Sequence, residues 1–382
     1  MNAKVKYLVL LSVFLAILSS PSSGQINPEK STDHATDSLS GSKELIKKAG
    51  ELTDLYGSLR FKVGVDFSGE SGIQDNASRM GIKGKIPIIP GIEAIMQLEI
   101  GVGLVGNTTK VKFSGDPGAT SGEVDNVFTS RLGYAGIKTK YGQLTWGKQW
   151  SVYSDIGGWT DMYNAFGAEA SGTYSAGTDG AISGSGRASN CFQYRLSEKH
   201  FDFGVQVQNR AITDSSTSWA DTYGFSLVLK SKFGLKAGAA YNKVRDGIQN
   251  PDVTKPKYGD EAWVAGANYE SKKLNAIFTS SFFKNHEKDD LGNFFSGYGL
   301  ELYVEYRLKE HWRFYGGGNY LQPTSTNAGD YMIQYLDFGS AYVFGKTSKV
   351  FAELRLDDSR NHNGTDARIS AIAFGMFFDF SY

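Results

Sequence analysis

The chain has 382 residues, 13% of them aromatic, with 46 Gly, 8 Pro and one Cys, and its 40 Lys+Arg equal its 40 Asp+Glu. This composition suits many short strands and tight turns. It offers no basic excess to draw nucleic acid, and a lone cysteine excludes an internal disulfide and a cysteine zinc cluster.

Met1 to Gly24 joins Lys4 and Lys6 to an apolar run from Tyr7 to Leu18 and a small-residue end, Ser22-Ser23-Gly24. Residues 1–24 therefore read as a secretory signal peptide. Its removal takes two lysines and no acids, leaving 38 basic residues against 40 acidic. Residues 25–53 read as a polar periplasmic leader, at whose end Leu45, Ala49, Leu52 and Tyr56 are spaced as one face of a short helix. Beyond the signal no apolar run reaches the ~18 residues of a spanning helix, so a membrane protein here must be a barrel.

From Asp54 onward, segments of roughly ten residues alternate in polarity. Leu59, Phe61, Val63, Val65 and Phe67 alternate with Arg60, Lys62 and Asp66. The parity recurs in Tyr298, Leu300, Leu302, Val304 and Tyr306 against Glu301, Glu305 and Arg307, and in Val350, Leu354 and Leu356 against Glu353, Arg355 and Asp357. Short turns are predicted at 89–91, 140–142, 197–200, 231–234, 271–273, 309–311 and 345–348. Longer polar stretches are predicted at 106–126, 246–260, 286–295 and 358–366. The last segment sets Ile372, Phe374, Met376, Phe378, Phe380 and Tyr382 on one face, as expected of an edge that zips onto the first strand. Together these predict an all-β fold for residues 54–382, a transmembrane antiparallel β-barrel of about 16 strands around an aqueous lumen.

One stretch departs from the pattern. Trp146-Gly147-Lys148-Gln149-Trp150 alternates like a strand, but the next residues to Gly186 are rich in Gly, Ser, Ala and Thr, hold Asp155, Asp161, Glu169 and Asp179, and contain no Lys or Arg before Arg187. A long aperiodic segment of this kind is usually functional or disordered, and its aromatics argue against simple disorder. It is expected to fold inward from a wall strand.

Arg131-Leu132-Gly133-Tyr134-Ala135-Gly136-Ile137-Lys138, with Tyr141-Gly142-Gln143-Leu144, Trp146-Gly147-Lys148-Gln149, Tyr153-Ser154-Asp155, Trp159-Thr160-Asp161-Met162 and Phe166-Gly167, resembles the fourth and fifth strands and third loop of the general diffusion porins of Gram-negative outer membranes. Asp54-Leu55-Tyr56-Gly57 and Ser78-Arg79-Met80-Gly81-Ile82-Lys83-Gly84 are similar to that family's first two strands. The resemblance implies a homotrimer of sixteen-stranded barrels set in outer-membrane lipid and lipopolysaccharide. Each third loop would fold into its lumen and narrow a water-filled path for ions and small hydrophilic solutes. Arg79, Arg131 and Arg187 would be the wall arginines of the constriction, with Arg60 near them. Asp161 would be the main loop acid, with Asp155 at the loop's start and Glu169 further along. Lys148, which shares parity with Trp146 and Trp150, would face outward to the trimer interface. Ala165 stands where the family often carries a second loop acid, so weak selectivity, near neutral or slightly anion-preferring, is expected.

Other readings have less behind them. Gly101-Val102-Gly103-Leu104-Val105-Gly106 matches a dinucleotide glycine pattern, but no helix follows it. His34, His200, His286, His311 and His362 are expected in the leader, turns or loops, and none has a metal spacing. No enzyme, cofactor or metal is predicted. The rivals are a substrate-specific channel for sugar, phosphate or organic acid, with Tyr303, Tyr315, Arg313 and Arg60 as a binding ladder, and a plugged structural or adhesive barrel.

Overall fold

The computed structural model describes residues 52–105, 127–173, 183–209, 220–245, 260–345 and 347–382. The expected signal peptide and nearly all of the leader, the stretches 106–126 and 246–259, and residues 174–182 of the long loop lie outside the described residues.

The strand segments are β1 (Thr53–Asp66), β2 (Ser71–Asp75), β3 (Arg79–Ile89), β4 (Ile92–Val102), β5 (Phe128–Thr139), β6 (Gly142–Trp150), β7 (Arg187–Ser197), β8 (Phe201–Gln208) and β9 (Thr222–Lys230). They continue as β10 (Leu235–Val244), β11 (Glu261–Glu270), β12 (Leu274–Lys288), β13 (Phe294–Leu308), β14 (Trp312–Pro323), β15 (Ile333–Phe344), β16 (Ser348–Asp357) and β17 (Ala371–Ser381). β2 pairs with Phe61–Val65 of β1 and β3 with Thr53–Ser58. The two are halves of one stave, so the antiparallel ring has sixteen. β17 closes it on β1, from Tyr56 opposite Ser381 to Asp66 opposite Ala371. All seven short turns predicted from the sequence stand at one end of the staves.

Alternation assigns the faces. Val63, Val65, Phe374 and Phe378 are exposed on the outside, while Lys62, Glu353 and Arg355 on the opposite parity are buried within the ring. Among the described residues no helix is long and apolar enough to cross a membrane. Strands with an oily outer face do so instead.

Two expectations need correction, and the second stave holds a break. Tyr56 does not close a helical face, because it lies in β1 and its hydroxyl donates to Glu99 at 2.8 Å. The second wall strand is not continuous. Ala77 takes a φ of 60° between β2 and β3, and Ser78 replaces ladder bonds by exchanging hydrogen bonds with the Arg60 main chain at 2.8 and 2.9 Å. The stretch 286–295 is half strand, since β12 runs to Lys288 past a register shift between Phe283 and Glu287 and β13 begins at Phe294. His286 is therefore a buried strand residue and not a loop residue.

Candidate functional site: a lumen narrowed by an inward loop

The segment after β6 turns into the lumen, where it forms α1 (Ser154–Gly157) and buries Tyr153, Ile156, Tyr163 and Phe166 against the inner wall. Two wall positions admit it because they lack side chains. An added Cβ at Gly299 would strike the Ala170 carbonyl, and one at Gly317 would strike the Tyr163 hydroxyl. Carboxylates of the wall then satisfy the loop's main chain. Glu353 accepts the amides of Asn164 at 2.8 Å and Phe166 at 3.0 Å, and Glu301 accepts that of Ala170 at 2.7 Å and the hydroxyl of Thr160. Lys62 donates to the Ala165 carbonyl at 3.0 Å, and Asn76, at the break between β2 and β3, donates to that of Asn164 at 2.6 Å. Buried amides and carbonyls held at this many points fix the loop's height and reach.

Beside the loop runs a passage of about 660 Å³. Arg60, Arg79, Arg131, Arg187 and Asp161, all expected at the constriction, line it together. Arg79 reaches it by plain alternation, but Arg131 does so through a bulge. Glu99 stands opposite Leu132 and Ile100 opposite Ser130, so Arg131 is the extra residue and its Nε meets Glu99 at 2.7 Å. The Arg187 guanidinium lies 5.3 Å from the Trp150 ring centroid. Arg60 approaches Asp379 at 3.8 Å and lies 4.3 Å from the Phe377 ring centroid.

Two expected constriction residues stand elsewhere. Asp155 is paired with Arg195, accepts from Ser226 at 2.8 Å, and lines a separate recess near the short turns with Lys138 and Lys236. Glu169 is buried against Arg368 at 2.7 Å, in the connection between β16 and β17. There burial alone would lower the guanidinium's pKa, but the Glu169 and Asp357 carboxylates raise it above the ordinary value, so it stays cationic. Both acids meet their partners across the fold, which local parity does not report.

On β6, Trp146 is 52% exposed and opposite Ala135, and Lys148 is opposite Gly133, on the outward parity expected. Trp150 departs from it. The pairing with β7 shifts register between Gly147 and Gln149, with the extra residue on β7, and Trp150, where β6 ends opposite Arg187, lines the passage. The rings of Tyr303 and Tyr315 are buried under the loop, Tyr303 with its centroid 5.0 Å from that of Tyr163. Both line the passage together with Arg60 and Arg313, as the rival ladder expects, but only an edge of each ring is left uncovered.

Sequence reasoning missed Arg307, Lys349 and Asp379 as lining residues, and Glu353 as the acceptor of the loop's amides. Inner-face parity flagged Arg307 and Glu353 but not their partners. Asp379 falls on the inner-face parity of the last strand, which by itself assigns it no role.

Residues 44–362 match the family model described as Gram-negative porin. Outer membrane porin F of Xenorhabdus nematophila is 29% identical over 249 residues, which are 60% of this chain and 62% of that protein. Outer membrane porin protein OmpD of Salmonella typhimurium is 26% identical over 342 residues, 83% of this chain and 88% of the other. Among solved structures, Salmonella typhi OmpF in complex with daunomycin superposes with a TM-score of 0.69 at 20% identity, over 86% of this chain and 97% of that one. An anion-selective porin from Comamonas acidovorans gives 0.61 at 14% identity, over 86% and 99%. At such identities the structures speak to the fold alone.

Proposed function

This chain belongs to the Gram-negative porins, and from that premise we propose a mildly anion-preferring diffusion channel whose selectivity is set between the wall arginines and the inward loop. It is an outer-membrane channel and not an enzyme. Ions and small hydrophilic solutes cross it passively through the water-filled lumen, sorted by size and charge.

One observation carries the charge preference. The passage is lined by seven basic side chains, Arg60, Arg79, Arg131, Arg187, Arg307, Arg313 and Lys349, against three acidic ones, Asp161, Glu305 and Asp379. In a narrow path with low-dielectric walls such an excess raises the local concentration of anions, while Asp161 facing the arginines lays a field across the path that orients polar solutes. Asp155 and Glu169 serve in this reading as fasteners of the loop, each held by its own arginine.

The protein works as a homotrimer, with Trp146 and Lys148 at the subunit contact and outer-membrane lipid and lipopolysaccharide around the remaining apolar face. The covered rings of Tyr303 and Tyr315 favour diffusion over a sugar-specific ladder.

The test is a planar-bilayer recording of the purified protein across a potassium chloride gradient. A reversal potential of the sign for chloride over potassium is expected. A strongly cation-selective potential would refute the reading.

A further inference from the structure

We infer that the cationic lining continues below the constriction as a second station, formed by Arg60, Lys349 and Arg313, which holds small oxyanions of two or more charges on their way through the lumen. This rests on the anion-preferring reading above and adds a ligand class and a place to it.

The register lays the station out. Arg79 stands opposite Ser58, which stands opposite Asp379. In the next inward-facing row Arg60 stands opposite Phe377, which stands opposite Lys349. Arg79 opens β3 at the end far from its short turn, Arg60 lies midway along β1, and Lys349 and Arg313 are the second residues of β16 and β14, next to short turns. The cations thus descend from mid-wall to the short-turn rim, with β17 between Arg60 and Lys349 and β15 between Lys349 and Arg313.

Phe377 ties the lower members together. The Arg60 guanidinium lies 4.3 Å and the Lys349 ammonium 4.8 Å from its ring centroid, which puts the two charges within about 9 Å of one another. An aromatic ring holds a cation in place without consuming its charge as a carboxylate would. Asp379 lies 3.8 Å from Arg60 and also accepts from the Ser58 hydroxyl, and Glu305 is a further lining acid of the same passage. Among the described residues Arg79, Lys349 and Arg313 form no ion pair with a carboxylate, and Arg313 donates only to the Trp312 carbonyl, at 3.1 Å.

Fixed cations in excess of their acids favour ligands that bridge them. A monovalent anion gains one contact at a time and passes on, whereas a polyvalent oxyanion can accept charge-assisted bonds from two side chains of the station together. Two such contacts correspond to roughly millimolar retention, weak enough to release and strong enough to be seen as block.

Inorganic pyrophosphate and citrate, added on the short-turn side of single channels recorded in potassium chloride, test this. Saturable block of the chloride current by either polyanion at roughly millimolar concentration is expected, with acetate giving none. The double variant Lys349→Gln/Arg313→Gln should raise the half-blocking concentration about tenfold, Lys349→Arg should keep it, and Lys236→Gln, an equal loss of charge in the neighbouring recess, should not move it. Absence of block by both polyanions up to about 10 mM overturns the station, as does equal weakening by Lys236→Gln. A cation-selective reversal potential without polyanion would instead strike the underlying reading, so the two failures are distinguishable.

Discussion

The Glu353 carboxylate, fixed on β16, accepts the main-chain amide of Ala165 at 3.1 Å, and the amides of Asn164 and Phe166 converge on the same group. Three successive amides around one carboxylate make a small anion nest in reverse, with the loop supplying donors and the wall supplying the charge. Glu301 repeats the device at Ala170 one stretch further on. The wall therefore sets the width of the passage, because the loop's main chain has its polar groups satisfied only when seated.

Replacing Glu353 by Gln keeps the side chain's size but puts donors where acceptors are needed. At least one buried amide then loses its partner, at a cost of about 1–3 kcal/mol. The expected result is a lower unfolding temperature in detergent and a noisier open-channel current. An unaltered current trace would show that the loop is held elsewhere.

Gly299 is a wall position at which the loop leaves no room for a side chain. Alanine there drives its methyl group at the Ala170 carbonyl, and overpacking of this kind costs roughly 1–3 kcal/mol. Gly299→Ala should displace the loop from its seat, read as a single-channel conductance different from the parent's. A parent-like conductance and thermal stability together would mean that the seat tolerates a side chain.

Asp161 and Arg79 sit on opposite sides of the passage charge. Asp161→Asn removes one of three lining acids and should move the reversal potential further toward chloride. Arg79→Gln removes one of seven cations and should move it back toward neutrality. An unchanged reversal potential in both variants would mean that neither side chain is seen by the permeating ion.

The barrel was legible because period-two alternation and turn chemistry are local signals. Val63 and Lys62 declare their faces without knowledge of any other strand, and the seven short turns carry their own residues. The loop's entry was legible from the aromatic and acidic residues between Trp150 and Arg187. Which acid meets which base was not, because Asp155 with Arg195 and Glu169 with Arg368 are joined only after distant staves are registered. Bulges set a second limit. One extra residue at Arg131 changes parity on β5 and one between Ala188 and Cys191 changes it on β7, and Trp150, where β6 ends, lines the passage although strict alternation sends it outward.

Trp146 and Lys148 share the outward parity of β6, and a large exposed aromatic there covers apolar area when a neighbour packs on it. Trp146→Ala and Lys148→Glu should each lower the temperature at which the trimer band converts to monomer on a detergent gel, while the monomer keeps its barrel fold. Unchanged conversion in both variants would place the subunit contact on other staves.

The buried pair of Arg368 with Glu169 joins the connection between β16 and β17 to the inward loop, and Arg368 also meets Asp357 at 3.2 Å. Because the guanidinium stays cationic, removing its main partner by Glu169→Gln leaves a buried charge undercompensated, at a cost on the order of 3 kcal/mol. Arg368→Met on its own strands the Glu169 carboxylate in the same way, while Asp357 keeps Arg355 at 3.0 Å. Combining the two substitutions removes the uncompensated charges created by each, so the double variant should be less destabilised than the sum of the singles, with an interaction energy of about 1–3 kcal/mol. Unfolding free energies of the four proteins measured in urea and lipid close the cycle. Simple additivity would show that the two groups do not act as a pair, and the loop's far anchor would then rest on Glu301 and Ser281, which bond Ala170 at 2.7 and 2.6 Å.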